Sequence, residues 1–257
     1  MLIFILPNSI LAQNNSDIIK ETHKEILNNI ISELKKEDFN SNDFNTFCLS
    51  LEKRSDYYFR KTNLLERKLN QGFTQKVLQF DIIFNFYALN ILEDLEGVIY
   101  LNLYSTNEQL YEKRTKHSEF YSNSILFPTK LYEYGIFCSI DGSPPDMCKE
   151  MIYFVNTKRY SNLSEWLHSL NPEIVAYGYM GLYMLAMEGL GISEKDLKRM
   201  NLVEQDETEL YVCEGCVFGA KNSLKNVLEE NILNQNYELL KQSGWLKPHI
   251  TIPLLPQ

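Results

Sequence analysis

The sequence predicts an all-α, multi-helical globular domain, and three observations carry that expectation. Apolar residues recur at helical spacing along most of the chain, and Ser, Asn and Asp stand where helix caps are needed. The 8 Pro and 11 Gly among 257 residues are too few for the turns of a many-stranded sandwich or barrel. At most a short extended segment is expected, near Tyr211.

The elements follow in order. Met1 to Ala12 is uncharged and mostly apolar and ends in a small residue before the polar run Gln13-Asn14-Asn15-Ser16, the pattern of a signal-peptide remnant with Gln13 as first mature residue. From Ser16 to Asp38, Ile19, Ile26, Ile30 and Leu34 share one helical face, opposite Lys20, Glu21, Lys35 and Lys36. Asn40 to Asp43 breaks this helix, and Asn42 or Asp43 caps a second one running to about Asn70. Gln71-Gly72 stops it, and Thr74 opens a third helix, so apolar from Val77 to Leu92 that it must be buried on most sides. Val98 to Tyr104 fits neither period, while Asn107 to Asn123 reads as a polar helix. Asp141-Gly142-Ser143-Pro144-Pro145-Asp146 is the clearest loop and a soft boundary within one domain of residues 13–257; a helix with Met147, Met151, Phe154 and Val155 follows it.

The strongest local pattern lies beyond. Leu163 to Leu170 is a short helix, Asn171-Pro172 is a cap with Pro at the first helical position, and Ile174 to Met187 has no charge at all. That span is too short for a membrane and suits a core helix, with Gly178 and Gly181 letting a neighbouring backbone approach. Gly189 and Gly191 end it, and Ser193 caps the next.

This succession, from Leu163 to Gly189, resembles one HEAT-like helical hairpin, and Tyr87 to Gly97 echoes Tyr179 to Gly189 in length and in its Glu-Gly ending. Asn171-Pro172-Glu173, Ala176-Tyr177-Gly178-Tyr179-Met180 and Cys213-Glu214-Gly215-Cys216 together are similar to a group of uncharacterised exported bacterial helical proteins of unknown function. The resemblance covers a minor part of the chain and implies no activity.

Cys213 and Cys216 form a C-x-x-C that can close a disulfide, hold half a metal site or cycle as a redox pair. Glu214 between the sulfurs disfavours thiolates, and Val217 stands where haem attachment needs His, so a structural disulfide is the preferred reading. Cys138 and Cys148 bracket the 141–146 loop and make a second disulfide candidate, while zinc at Cys213 and Cys216 is the alternative. Cys48, among Phe47, Leu49 and Leu51, is expected as a buried small hydrophobe. His23, His117, His168 and His249 belong to no metal motif, Glu93, Asp94 and Glu96 suit a solvated helix end, and Asp141 and Asp146 lack calcium-loop spacing.

Thirty-four acidic against 25 basic residues, net −9, argue against nucleic acid, and no segment reads as an integral membrane span. A basic run from Lys53 to Lys76 and an acidic one from Glu188 to Glu209 could steer a protein partner. The expectation is therefore a non-enzymatic exported protein, periplasmic or extracellular, that binds an unknown protein or cell-envelope component without a cofactor. The alternatives are a cytoplasmic location and a thiol-redox or zinc-binding protein centred on Cys213 and Cys216.

Overall fold

The computed structural model describes residues 8–55, 59–69, 72–105, 108–114, 127–129, 131–138, 141–214 and 217–247. It is mixed α/β, 47% helical and 27% strand, which overturns the all-α expectation. The chain divides into two compact units: residues 1–66 with 72–120, and residues 67–71 with 121–257.

In the first unit, helices α1 (Asn8–Leu34) and α2 (Ser41–Ser55) precede a five-stranded antiparallel meander in the order β1-β2-β3-β4-β5. The strands are β1 (Phe59–Lys68), β2 (Thr74–Ile82), β3 (Asn85–Glu93), β4 (Val98–Ser105) and β5 (Gln109–Arg114). Ile26, Ile30 and Leu34 on α1 and Phe44, Cys48 and Leu51 on α2 are spaced one helical turn apart and pack against one sheet face. That face presents Phe80 and Ile82 of β2, Tyr87, Leu89 and Ile91 of β3, and Leu101 and Leu103 of β4. The Asn40 side chain caps α2 by accepting from the Asn42 amide at 2.8 Å.

Three expected elements are corrected here. The second helix stops at Ser55, and β1 takes the stretch assigned to its last turns. The third helix is the β2–β3 hairpin. Gln75 and Val77 are buried as fully as Phe80 and Ile82, and Leu89, Asn90, Ile91 and Leu92 are four buried residues in succession. With both faces buried, the alternation that marks a strand disappears, and the run reads like a buried helix. The connection hides too: Ile82 pairs with Asn85, so Ile83 and Phe84 alone make the turn, at φ 49° and 64°. Tight hairpins of this kind ordinarily announce themselves with Asn-Gly, which is missing here. The polar helix expected from Asn107 is β5 as far as Arg114, and 115–123 lie outside the described residues.

The signal-peptide expectation also finds no support. Asn8 to Ala12 run into α1 with no boundary at Gln13, and residues 1–7 lie outside the described residues. Among the described residues no helix is long and apolar enough to cross a membrane.

The second unit is built on α5 (Pro172–Met187), whose residues from Pro172 to Leu182 are all buried. Around it lie α3 (Asp146–Asn156), α4 (Tyr160–Leu167), α6 (Glu194–Val203), α7 (Leu224–Val227), α8 (Glu230–Gln242) and the hairpin β6 (Glu209–Glu214) with β7 (Val217–Ser223). Asn171 caps α5 with Pro172 in its first turn, as the sequence predicts. Gly178 is where α4 comes close: a Cβ there would stand 2.4 Å from the Leu167 nitrogen.

Glu173, in the first turn of α5, is fully buried against Arg67 from the end of β1. The guanidinium grips it bidentately at 2.5 and 2.9 Å and donates to the Glu209 carbonyl at 2.6 Å, while the Tyr211 amide donates to the same carboxylate at 3.0 Å. One ion pair thus fixes residue 67, the start of α5 and the start of β6. Arg67 belongs to the basic run expected as a surface; here it is interior.

Candidate functional site: an uncharged cleft in the second unit

Residues 131–138 form a strap beside β6. Tyr134 makes a parallel bridge to Val212: its amide donates to the Tyr211 carbonyl at 2.9 Å, and its carbonyl accepts from the Cys213 amide at 3.0 Å. Four residues on, Cys138 is joined to Cys213 by a disulfide with Cα atoms 5.5 Å apart. The intervening Gly135 has no room for a side chain, since a Cβ would lie 2.5 Å from the Cys213 carbonyl oxygen and 2.8 Å from both sulfurs. Glycine is required by this close approach.

A buried tyrosine fixes the strap from the other side. The Tyr177 hydroxyl on α5 accepts from the Gly135 amide at 3.0 Å and lies 2.9 and 3.0 Å from the carbonyls of Gly135 and Glu133, to either of which it can donate. Burial pushes this phenol well above its ordinary pKa, so it stays neutral and keeps its proton for the bond. The Tyr134 ring packs on the Tyr177 ring at 4.9 Å, and its hydroxyl reaches the Met180 sulfur at 3.5 Å.

Beyond the strap opens a cleft of about 420 Å³. Its lining comes from the strap through Tyr134, Gly135, Ile136 and Phe137, from β6, β7 and α7 through Val212, Cys213, Asn222 and Val227, and from α8 through Ile232, Gln235, Asn236 and Leu239. The α8 residues recur at i, i+3, i+4 and i+7, so they form one stripe. Its other stripe, Leu233, Tyr237 and Leu240, is buried in the core, which holds the helix in place. Among the described residues lining the cleft none is charged, and the polar side chains are Tyr134 and three amides. The size and the mostly apolar lining with few polar groups are those of a ligand pocket.

The sequence-predicted site residues fare unevenly. Cys213 is paired with Cys138; Cys148, expected to pair with Cys138, is a buried free thiol whose pKa burial pushes far up. Cys216 lies outside the described residues, so the local C-x-x-C disulfide is not seen. Cys48 is buried and free, its thiol pushed up to about 12 by burial, which keeps it an inert hydrophobe. Among the described residues no three His, Cys, Asp or Glu converge as metal ligands.

Sequence reasoning missed one polar cluster. Buried Asp196 accepts from the Tyr160 hydroxyl at 2.5 Å, Ser193 at 2.7 Å and Ser164 at 2.8 Å, with His168 Nε2 at 3.0 Å. Burial works to raise its pKa, but the bonds from Tyr160, Ser193, Ser164 and His168 outweigh that and hold it at about 2. Ser, His and Asp are the residue types of a hydrolytic triad, yet serine and imidazole both address the carboxylate. A relay needs serine on imidazole and imidazole on carboxylate. The cluster instead ties the start of α6 to α4.

No protein-family model, curated protein or solved structure matches the chain. The similarity to exported bacterial helical proteins and to a HEAT-like hairpin is therefore withdrawn: no relative supports it, and the echo at Tyr87 to Gly97 is strand β3 and a turn. Fold and site define a two-unit α/β protein with a cleft whose described lining carries no charge.

Proposed function

We propose that this is a non-enzymatic binding protein and that the cleft between the strap and α8 takes its ligand. The observation that carries the reading is the lining: about 420 Å³ of mostly apolar wall with Asn222, Gln235 and Asn236 as its amides. Apolar contact supplies affinity there and amides supply orientation, whereas charge, nucleophile and base are not among the groups the described lining offers. A ligand suited to it is uncharged, apolar along much of its surface and able to exchange hydrogen bonds.

The Cys138–Cys213 bond supports a working place in an oxidising compartment, where such bonds persist. A redox role has less behind it, because both sulfurs are shielded, with Cys213 2% and Cys138 7% exposed.

The test is titration with the neutral apolar dye Nile red, followed by fluorescence. Saturable binding that is lost in Leu239→Asp, a substitution at a residue 38% exposed, is the expected result. Equal binding by wild type and variant would overturn the assignment.

A further inference from the structure

The first unit holds a cavity of its own, of about 150 Å³, that shares no residue with the cleft. It lies where the first turns of α2 meet the sheet. Ser41 and Asn45 stand one helical turn apart with Asn42 beside them, and all three line it. Asn63 and Leu65 on β1, like Lys76 and Leu78 on β2, are two residues apart, so each pair shares a sheet face; Ile91 of β3 stands opposite Lys76. Leu65, Leu78 and Ile91 are buried, whereas the polar side chains that line the cavity are half-buried or exposed. The apolar part of the lining is therefore the deep part, and the polar part is nearer to water.

Several of the polar groups are already oriented. Lys76 Nζ is held by the Glu93 carboxylate at 2.8 Å and donates to Ser41 Oγ at 2.9 Å, which leaves the serine its own proton to give. The Lys61 ammonium donates to Asn45 Oδ1, so the amide nitrogen is the end that Asn45 offers to a ligand. Asn42 and Asn63 each bring a donor and an acceptor, and the Glu66 carboxylate accepts. Lys76, Glu93 and Glu66 together sum to one negative charge, which disfavours a phosphate or a carboxylate. Among the described residues Glu66 is the one carboxylate in the lining and no three ligands converge, so a metal ion lacks its shell. Donors and acceptors interleaved over an apolar depth suit a neutral ring of hydroxyls, each of which donates and accepts at once, with C–H groups to lay on the leucines. Size agrees: at about 10 to 15 Å³ for each water-sized position, about 150 Å³ holds about 10 to 15 non-hydrogen atoms, the size of one hexose. We propose that this cavity binds a neutral hexose unit, with Asn45, Asn63 and Glu66 holding its hydroxyls.

The test titrates the full-length, isotope-labelled protein with glucose, galactose and mannose, with their methyl pyranosides, and with glycine and inorganic phosphate as the zwitterionic and anionic controls. At least one hexose should shift the side-chain amide resonances of Asn42, Asn45 and Asn63 saturably. Asn63→Ala and Glu66→Ala, both at exposed positions, should each weaken that binding about tenfold, while Leu239→Asp in the cleft leaves it unchanged. Equal binding of a free sugar and its methyl pyranoside would identify the ligand as the end unit of a glycan; binding of the free sugar alone would identify it as a free hexose. The proposal is overturned if none of the hexoses shifts these resonances, if neither alanine variant weakens the binding, if Leu239→Asp abolishes it, or if glycine or phosphate binds as tightly as the best hexose. The reading of the cleft stands or falls separately, on Nile red.

Discussion

Replacing Gly178 by Ala sets two effects of opposite sign against each other. Inside a helix, Ala is better than Gly by about 1 kcal/mol, so propensity alone says that the variant is more stable. Packing says otherwise. The new Cβ would lie 2.4 Å from the Leu167 nitrogen, 2.8 Å from the Trp166 carbonyl carbon and 2.9 Å from the Leu163 carbonyl oxygen, all backbone of α4. Backbone cannot turn aside as a side-chain tip can, so α4 must move off α5, and overpacking of this kind costs about 1 to 3 kcal/mol or more. Because the clash is with backbone, the cost falls at the upper end of that range and the net expectation is a loss of about 2 kcal/mol. Gly181→Ala meets mainly Leu163 side-chain atoms, at 2.5 and 3.0 Å, and should cost less; Gly191→Ala meets nothing within 4 Å and should be neutral or mildly stabilising. Urea denaturation of the three variants, followed by far-ultraviolet circular dichroism, orders them. A Gly178→Ala protein as stable as the Gly191→Ala protein would refute the close approach of α4 and α5.

Further expectations follow from individual contacts. Glu173→Leu leaves Arg67 buried without its carboxylate and should cost about 3 to 5 kcal/mol, while Arg67→Met with Glu173→Leu should recover much of that; a single variant as stable as wild type in denaturant titration would contradict the buried pair. Asp196, held at about 2 against an ordinary 3.8, contributes stability that is complete above pH 4 and disappears as pH falls towards 2. Acid titration should show about 2 kcal/mol of stability lost across that window and absent from Asp196→Asn; identical acid profiles would refute it. Phe84→Gly removes a side chain that is 90% exposed at φ 64°, and should raise the denaturation midpoint by about 0.5 to 1 kcal/mol of stability once glycine's greater unfolded freedom is counted; a lowered midpoint would show that Phe84 is held by contacts.

How much of this was readable depended on where water is. The amphipathic helices α1, α2, α3 and α6 each leave one face solvated, so their 3.6-residue period survives in the sequence, and Asn171-Pro172 marks α5 because cap chemistry is local. Strands β2, β3 and β4 bury residues on both faces, and their turn at Ile83-Phe84 bears no turn residues, so the meander was hidden. The site was less legible. Cys138 and Cys213 are 75 residues apart, and the nearer partners Cys148 and Cys216 made better sense as spacing. Likewise Asp196, Tyr160, Ser164 and His168 converge only once α4 and α6 are folded together. The one local clue to the cleft was the stripe Ile232, Gln235, Asn236 and Leu239, whose mixed character reads as ordinary helix surface.

The cleft is built on a strap held to β6 by the Tyr134 bridge and by one disulfide, and mapping of that disulfide tests the arrangement most directly. Digestion of the unreduced protein followed by mass spectrometry should yield one linked pair joining the peptides that carry Cys138 and Cys213, a cross-link that closes a long loop and is worth about 4 kcal/mol. Linkage of Cys138 to Cys148, or of Cys213 to Cys216, would remove the covalent tie between the strap and β6 and contradict the account.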